Sequence, residues 1–347
     1  MNINVDKKIE NELKKDIQLP QSVLNKINEA FEEIRIEEPK KSKLAFEFNR
    51  KLIAALIIIS IFSVLTINPK VLASISSFFK DKGVQKAANN GYIQTLPENA
   101  VKDNGITMNI DNVVADKTKI GISFTLKFDD ISEIKDVNDI QLGLNVKDNN
   151  DRVIFEHLKE GIYTPIQVGQ EWSTDISNKD NGELKYYLKM YSTEGQLYDI
   201  NSLSIKIDSI KLYEENVRYH KGIEGEWNFS LDLNDVFKEM ESIKYVAKNN
   251  SDIVSLNSIE VMPTGTIINA NINRKVDENI VNKIIITDES GEKVYKFTDG
   301  NIEDTKYGVK ISFMYDLTTF DNLDNIKMIV KDIEGKDIVL DLEKENN

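Results

Sequence analysis

Residues 119–128 read KIGISFTLKF. Ile120, Ile122, Phe124, Leu126 and Phe128 alternate with Lys, Gly, Ser, Thr and Lys, a period of two over the whole stretch. Side chains on a strand point to opposite faces in turn, so this pattern predicts a strand with one buried face. Ile106, Met108 and Ile110 repeat it just upstream, and Asp116-Lys117-Thr118 supplies the turn. A pair of such strands cannot hide its apolar face alone, so more sheet must follow.

It does. Leu142, Leu144 and Val146 form another alternating set, ending in the polar turn Lys147 to Arg152. Leu184 to Met190, Leu203 to Ile207 and Trp227 to Leu233 continue the theme. A second series starts near Ser255. Ile259 and Val261 lead into the turn signal Pro263-Thr264-Gly265, and Ile267-Ile268 resumes. Val281 to Thr287, Glu292 to Phe297, Val309 to Tyr315, Ile326 to Val330 and Ile338 to Leu342 follow, with turns at Ser290-Gly291 and Glu334-Gly335. No long helical pattern separates these strands, which disfavours a parallel α/β sheet. Alternation with polar neighbours implies antiparallel sheets with one wet face each, paired into sandwiches. The predicted fold is therefore mainly β. Two antiparallel β-sandwich, immunoglobulin-like modules are expected over residues 92–246 and 253–345, divided by the polar stretch 247–252.

Upstream the character changes. In a chain that is 29% charged, residues Leu52 to Pro69 carry no charge. From Leu52 to Ile67, eleven of sixteen residues are Leu, Ile, Val or Phe, favouring insertion into lipid by roughly 4–5 kcal/mol. As a helix, Leu52 to Pro69 is about 27 Å long, close to the hydrocarbon thickness of about 30 Å. Lys70 can snorkel, extending the span to Leu72. Two rivals stand beside a transmembrane helix at 52–72. A buried globular helix normally shows a polar face, which this run lacks. A cleaved signal is suggested by Val71-Leu72-Ala73, but some fifty residues precede the run, far more than a secretory n-region. Lys40, Lys41, Lys43, Arg50 and Lys51 precede it, against Lys70, Lys80 and Lys82 beyond. That bias places the N-terminus in the cytoplasm and the β modules outside.

Residues 1–51 hold ten acids and eleven bases. Val5, Ile9, Leu13 and Ile17 recur at four-residue steps. Leu24, Ile27, Phe31 and Ile34 form a second helical stripe, after Pro20 and before Glu37-Glu38-Pro39. Two such helices cannot build a core, so the stripe Leu24, Ile27, Phe31 and Ile34 is the candidate partner-binding site; an incidental stripe on a tether is the plain alternative. Residues 73–91 read as a juxtamembrane helix and linker.

The net charge is −14, which disfavours direct nucleic-acid binding. Cysteine is absent, and His157 and His220 are the only histidines. No metalloprotease, nucleophile-elbow or nucleotide-binding motif occurs. The chain is therefore expected not to be an enzyme, and no cofactor or metal is expected. Asp148-Asn149-Asn150-Asp151 lacks calcium-loop spacing and is better taken as a turn. Trp227, in an alternating strand, is expected in a core, and Trp172 is left open.

The order of parts resembles the membrane-anchored proteins of Gram-positive bacteria grouped as domain of unknown function family 4179. The residues that carry this are Ile67-Asn68-Pro69 with Val71-Leu72-Ala73, the strand GISFTLKF after Asp116, and Gly225-Glu226-Trp227-Asn228-Phe229. Ser258 to Ile272, containing Pro263-Thr264-Gly265-Thr266, is similar to an immunoglobulin-like module that often follows. The resemblance implies an anti-sigma factor: the inner helices sequester an extracytoplasmic-function sigma factor, and the outer modules sense an envelope ligand or expose the chain to a protease. Many anti-sigma factors grip through a zinc-binding His and Cys cluster, and the inner segment has neither residue. The alternative is a cell-surface binding, adhesion or envelope structural protein without a sigma partner.

Overall fold

The computed structural model describes residues 81–345 apart from 97–98, 159–160, 164–167, 193–196, 198–199, 215–220, 240–241, 250 and 278. The inner helices with Leu24, Ile27, Phe31 and Ile34, the span at 52–72 and the start of the 73–91 segment lie outside the described residues. Among the described residues no helix is long and apolar enough to cross a membrane.

The protein is mainly β, and among the described residues all strand pairs are antiparallel. A short helix, α1 (Lys82–Asn89), leads in. The first strand set is β1 (Gln94–Thr95), β2 (Val101–Asp103), β3 (Ile106–Ala115), β4 (Lys119–Phe128), β5 (Val137–Asp148), β6 (Val153–Leu158), β7 (Gly161–Tyr163), β8 (Val168–Asp175), β9 (Glu183–Ser192), β10 (Ser202–Glu214) and β11 (Lys221–Asp232). These make two sheets. One has the order β1-β3-β4-β9-β8 with β2 also on β3, and the other runs β11-β10-β5-β6-β7. Ile122 and Phe124 from one and Leu144 and Ile205 from the other belong to a single buried apolar cluster. The alternation of KIGISFTLKF is thus half of a two-sheet core, each large apolar side chain contributing about 1.5–3 kcal/mol by leaving water. Trp227 is wholly buried in it, and its Nε1 donates to the Ile106 carbonyl at 3.0 Å.

A short helical turn, α2 (Val236–Glu239), leads to the second set. It contains β12 (Ile243–Ala247), β13 (Val254–Met262), β14 (Gly265–Ile272), β15 (Ile284–Asp288), β16 (Val294–Tyr295), β17 (Phe297–Asp304), β18 (Val309–Tyr315), β19 (Asn325–Ile333) and β20 (Lys336–Lys344). Its pairing path is β16-β15-β19-β20-β12-β13-β14-β18-β17. The two ends of that path are consecutive in the chain, joined at Lys296, whose amide donates to the Asp316 side chain and whose carbonyl accepts from the Asp316 amide. At the other side β12 changes partner in mid-strand. Ile243 and Lys244 face β13, whereas Tyr245 to Ala247 face β20. A strand that switches partner in this way lets one pairing path surround a single core, with β16 and β17 at its two ends.

Several details depart from the sequence reading, which also placed no strands where β6, β7 and β8 lie. Residues 243–246, placed with the first module by the 247–252 boundary, pair only with strands of the second set. The sequence change of module therefore falls between β11 and β12, near α2. Residues 281–283, read as the start of a strand, belong to a helical turn, α3 (Ile280–Lys283), before β15. The strand β17 went unseen because DGNIED shows no apolar alternation; its side chains are mostly half-exposed.

Candidate functional site

Asp81 opens α1. Its Oδ1 accepts from the amides of Gly83 at 2.9 Å and Val84 at 3.1 Å, capping two donors that the first turn leaves unpaired. Its Oδ2 accepts from Lys119 Nζ at 2.8 Å and Lys189 Nζ at 3.2 Å. All three side chains are buried.

The register explains why two lysines meet here. Lys119 lies opposite Tyr191, and Gly121 opposite Lys189, on neighbouring strands β4 and β9. Their partners in alternation, Ile120 and Leu188, belong to the core cluster, so the lysines project from the opposite face. That face would be wet if nothing covered it. Instead α1 and the turn between β13 and β14 lie across it. Lys119 Nζ donates a second bond to the Thr264 carbonyl at 3.0 Å, and Lys189 Nζ reaches Glu171, which is 52% exposed, at 2.9 Å. The excess positive charge is thereby passed to the surface.

Asp116 binds the same turn from the other side. Its Oδ1 accepts from Thr118 N, Thr118 Oγ1 and Lys119 N, holding the β3–β4 turn. Its Oδ2 accepts from Thr264 N at 2.8 Å and Thr264 Oγ1 at 2.6 Å. One carboxylate therefore shapes the turn in the first module and grips the second. Glycine is required twice here, at Gly83 by the approach of α1 to the Thr264 turn and at Gly265 by the neighbouring strand β18. A Cβ on Gly83 would lie 2.0 Å from the Thr264 carbonyl oxygen, and one on Gly265 would lie 2.9 Å from that of Tyr315.

Further along α1, Lys86 Nζ pairs with Asp321 at 2.6 Å, and Lys293 Nζ pairs with the other oxygen of Asp321 at 2.5 Å. Tyr92, just beyond the helix, is buried and donates to the Ala115 carbonyl at 2.8 Å. Its ring meets Phe237 and Phe320 edge-on, with centroids 5.0 and 6.3 Å away. Burial pushes the Tyr191 hydroxyl up, and the adjacent Asp299 of β17 adds to the shift. Burial alone would raise Asp81, but Lys119 and Lys189 outweigh it and hold its carboxyl below the usual value of 3.8. Asp321 follows the same logic: burial opposes, while Lys293, Lys86 and the Thr318 amide prevail and lower it.

This junction links residues of both strand sets. Its carboxylates already carry bonds from ammonium, amide and hydroxyl groups. Among the described residues no group of acids and histidines is arranged to hold a metal. The Asp148 turn illustrates why: its carboxylate accepts from Arg152 Nε at 2.9 Å and from the amides of Asn150 and Arg152. His157 is on β6 with its ring near Phe155, while His220 is outside the described residues. Trp172 lies on the edge strand β8, 38% exposed. The stripe Leu24, Ile27, Phe31 and Ile34 is not among the described residues. The junction residues were missed in sequence. The hints were Asp81 before Lys-Gly-Val, which is an N-cap pattern, and the PTGT turn that contains Thr264.

These features define a mainly β chain with two strand sets and a short helix bonded to both. Residues 43–128 match the family model described as Domain of unknown function (DUF4179). The match runs from before the charge-free stretch to the end of β4, and so includes Asp81, Asp116 and Lys119. Among solved structures, the crystal structure of the conserved domain protein from Bacillus anthracis is similar over 77% of this chain and 92% of its own, with 14% identity and a TM-score of 0.44. No curated protein matches the chain.

Proposed function

We propose that the protein is a single-pass membrane regulator of the anti-sigma type. Its cytoplasmic helices hold a sigma factor through Leu24, Ile27, Phe31 and Ile34, and its β modules, read as immunoglobulin-like sandwiches, sense an envelope signal outside. It performs no catalytic step and binds no nucleic acid directly. The observation that carries this reading is sequential. The charge-free stretch ends at Pro69, and by Asp81 the chain is already clasped between both modules. A change felt by either module is thus delivered within a dozen residues of the predicted span. A surface adhesin needs only a tether there.

Co-purification of the tagged full-length chain from its native host provides the test. The wild type is expected to retain a sigma factor, and Ile27→Glu or Phe31→Glu to release it and raise transcription from that factor's promoters. Recovery of no sigma factor with the wild type, or unchanged transcription in the variants, would favour the adhesion or envelope role instead.

A further inference from the structure

We infer that α1 is a removable strap. While docked it holds the two β modules as one body, and when it is drawn away the modules part and move independently. This goes beyond the proposed regulator role and does not depend on what lies inside the membrane.

The modules have separate cores. Most of their buried apolar residues form two separate clusters, and among the described residues no strand of one set pairs with a strand of the other. The polar contacts that join them are the Asp116 grip on Thr264, the Lys119 bond to the Thr264 carbonyl, and the Asp299 contact with Tyr191, beside buried apolar residues outside both clusters such as Val114, Met262 and Met314. The strap completes this joint from two directions. Through Asp81 it neutralises Lys119 and Lys189 on the first module. Through Lys86 it pairs with Asp321 on the second. Val84, Ala87 and Ala88 are fully buried against the junction.

Removing the strap takes the Asp81 carboxylate from Lys119 and Lys189 and the Lys86 ammonium from Asp321. Lys119, with its side chain only 2% exposed, would then face a single carbonyl with no carboxylate to balance it. An unpaired buried ammonium is too costly to keep, so water must enter between the modules. The strap also has only two states. Eight residues with a glycine at the second position are too few to stay helical in water, so α1 exists docked or not at all. As a helix it is about 12 Å long and as extended chain about 27 Å. Undocking therefore lengthens the connection toward the predicted span while it frees the modules. A pull on the segment before Asp81, or a ligand that spreads the modules, would favour the same released state.

Gly83→Ala separates docking from helix formation, because alanine favours the helix while its Cβ meets the Thr264 carbonyl. Asp81→Asn keeps a capping oxygen but removes the charge. Hydrogen exchange is followed by mass spectrometry on the full-length protein. Both variants are expected to speed exchange at 82–92 together with 114–120 and 262–266, by about tenfold or more, the effect of losing a charge-assisted hydrogen bond. Exchange at 122–126 and 311–315, inside the two cores, is expected to hold. Three results overturn the strap: acceleration at 82–92 alone, acceleration of the cores in parallel, or no change in either variant. If Gly83→Ala does not fold, Asp81→Asn decides.

Discussion

The cores and the junction are built from the same strands by opposite rules. In the cores, Ile122, Phe124, Leu144 and Ile205 are among many side chains of one kind, none with an obligatory partner. At the junction each side chain has named partners, and Asp81, Asp116 and Asp321 each serve at least three donors. A core degrades gradually when one member shrinks. A buried charge network fails when one member is lost, because what remains is an uncompensated ion. The difference suits the two tasks, since modules must persist while the joint between them is free to switch.

The largest effect should come from Asp81→Ala. It leaves Lys119 and Lys189 facing each other and uncaps α1, which should weaken the junction by about 3–5 kcal/mol, read from hydrogen exchange at 82–92, 114–120 and 262–266 of the full-length chain. A cost under about 1 kcal/mol, the scale of an exposed pair, would mean that water already reaches the site. Acid provides a second approach to the same group. Its folded pKa lies below the unfolded value, so its contribution is complete above about pH 4 and fades as the pH falls through the folded value. The wild type should lose stability there, and Asp81→Asn should show a shallower acid limb. Asp321, lowered in the same way, should keep part of the slope.

Next in size is Thr264→Val, which removes a hydroxyl from the Asp116 carboxylate without changing shape greatly. The loss of one hydrogen bond to a charged group is worth about 1.5–3 kcal/mol. Its double-mutant cycle with Asp116→Asn should show strong coupling. Additive effects would separate the two residues energetically, contrary to their 2.6 Å contact.

The core side of the comparison is gentler. Ile122→Val removes one methylene from a fully buried position and should cost about 0.5–1.5 kcal/mol, by thermal or urea unfolding. This tolerance is also why the cores were legible in the sequence. Any residue of the right polarity at period two announces a strand, and KIGISFTLKF or GEWNFSLDL does so unaided. The junction had no such redundancy. Lys119 and Lys189 occupy the polar positions of their strands, as solvent-facing lysines would, and only the covering by α1 and the Thr264 turn makes them interior. Local periodicity carries no record of what a distant segment will cover. Likewise β12 is too short to say which module it joins, because its partners, β13 and β20, lie 7 and 89 residues downstream of its end.

The smallest effect is expected where the geometry looks most similar. Lys102 and Asp129 approach to 2.7 Å, no farther apart than Lys119 and Asp81 at 2.8 Å. Their side chains are 58% and 57% exposed, against 2% and 1% for the buried pair. Water solvates each partner when the other is gone, so the pair gains little from being formed and leaves little behind when broken. Lys102→Ala should change stability by no more than about 0.5 kcal/mol, and added salt should abolish even that. Asp81→Ala should remain costly at the same salt concentration, since ions do not enter the closed junction. If the two variants respond alike, distance rather than enclosure governs these contacts, and the contrast between core, joint and surface loses its physical basis.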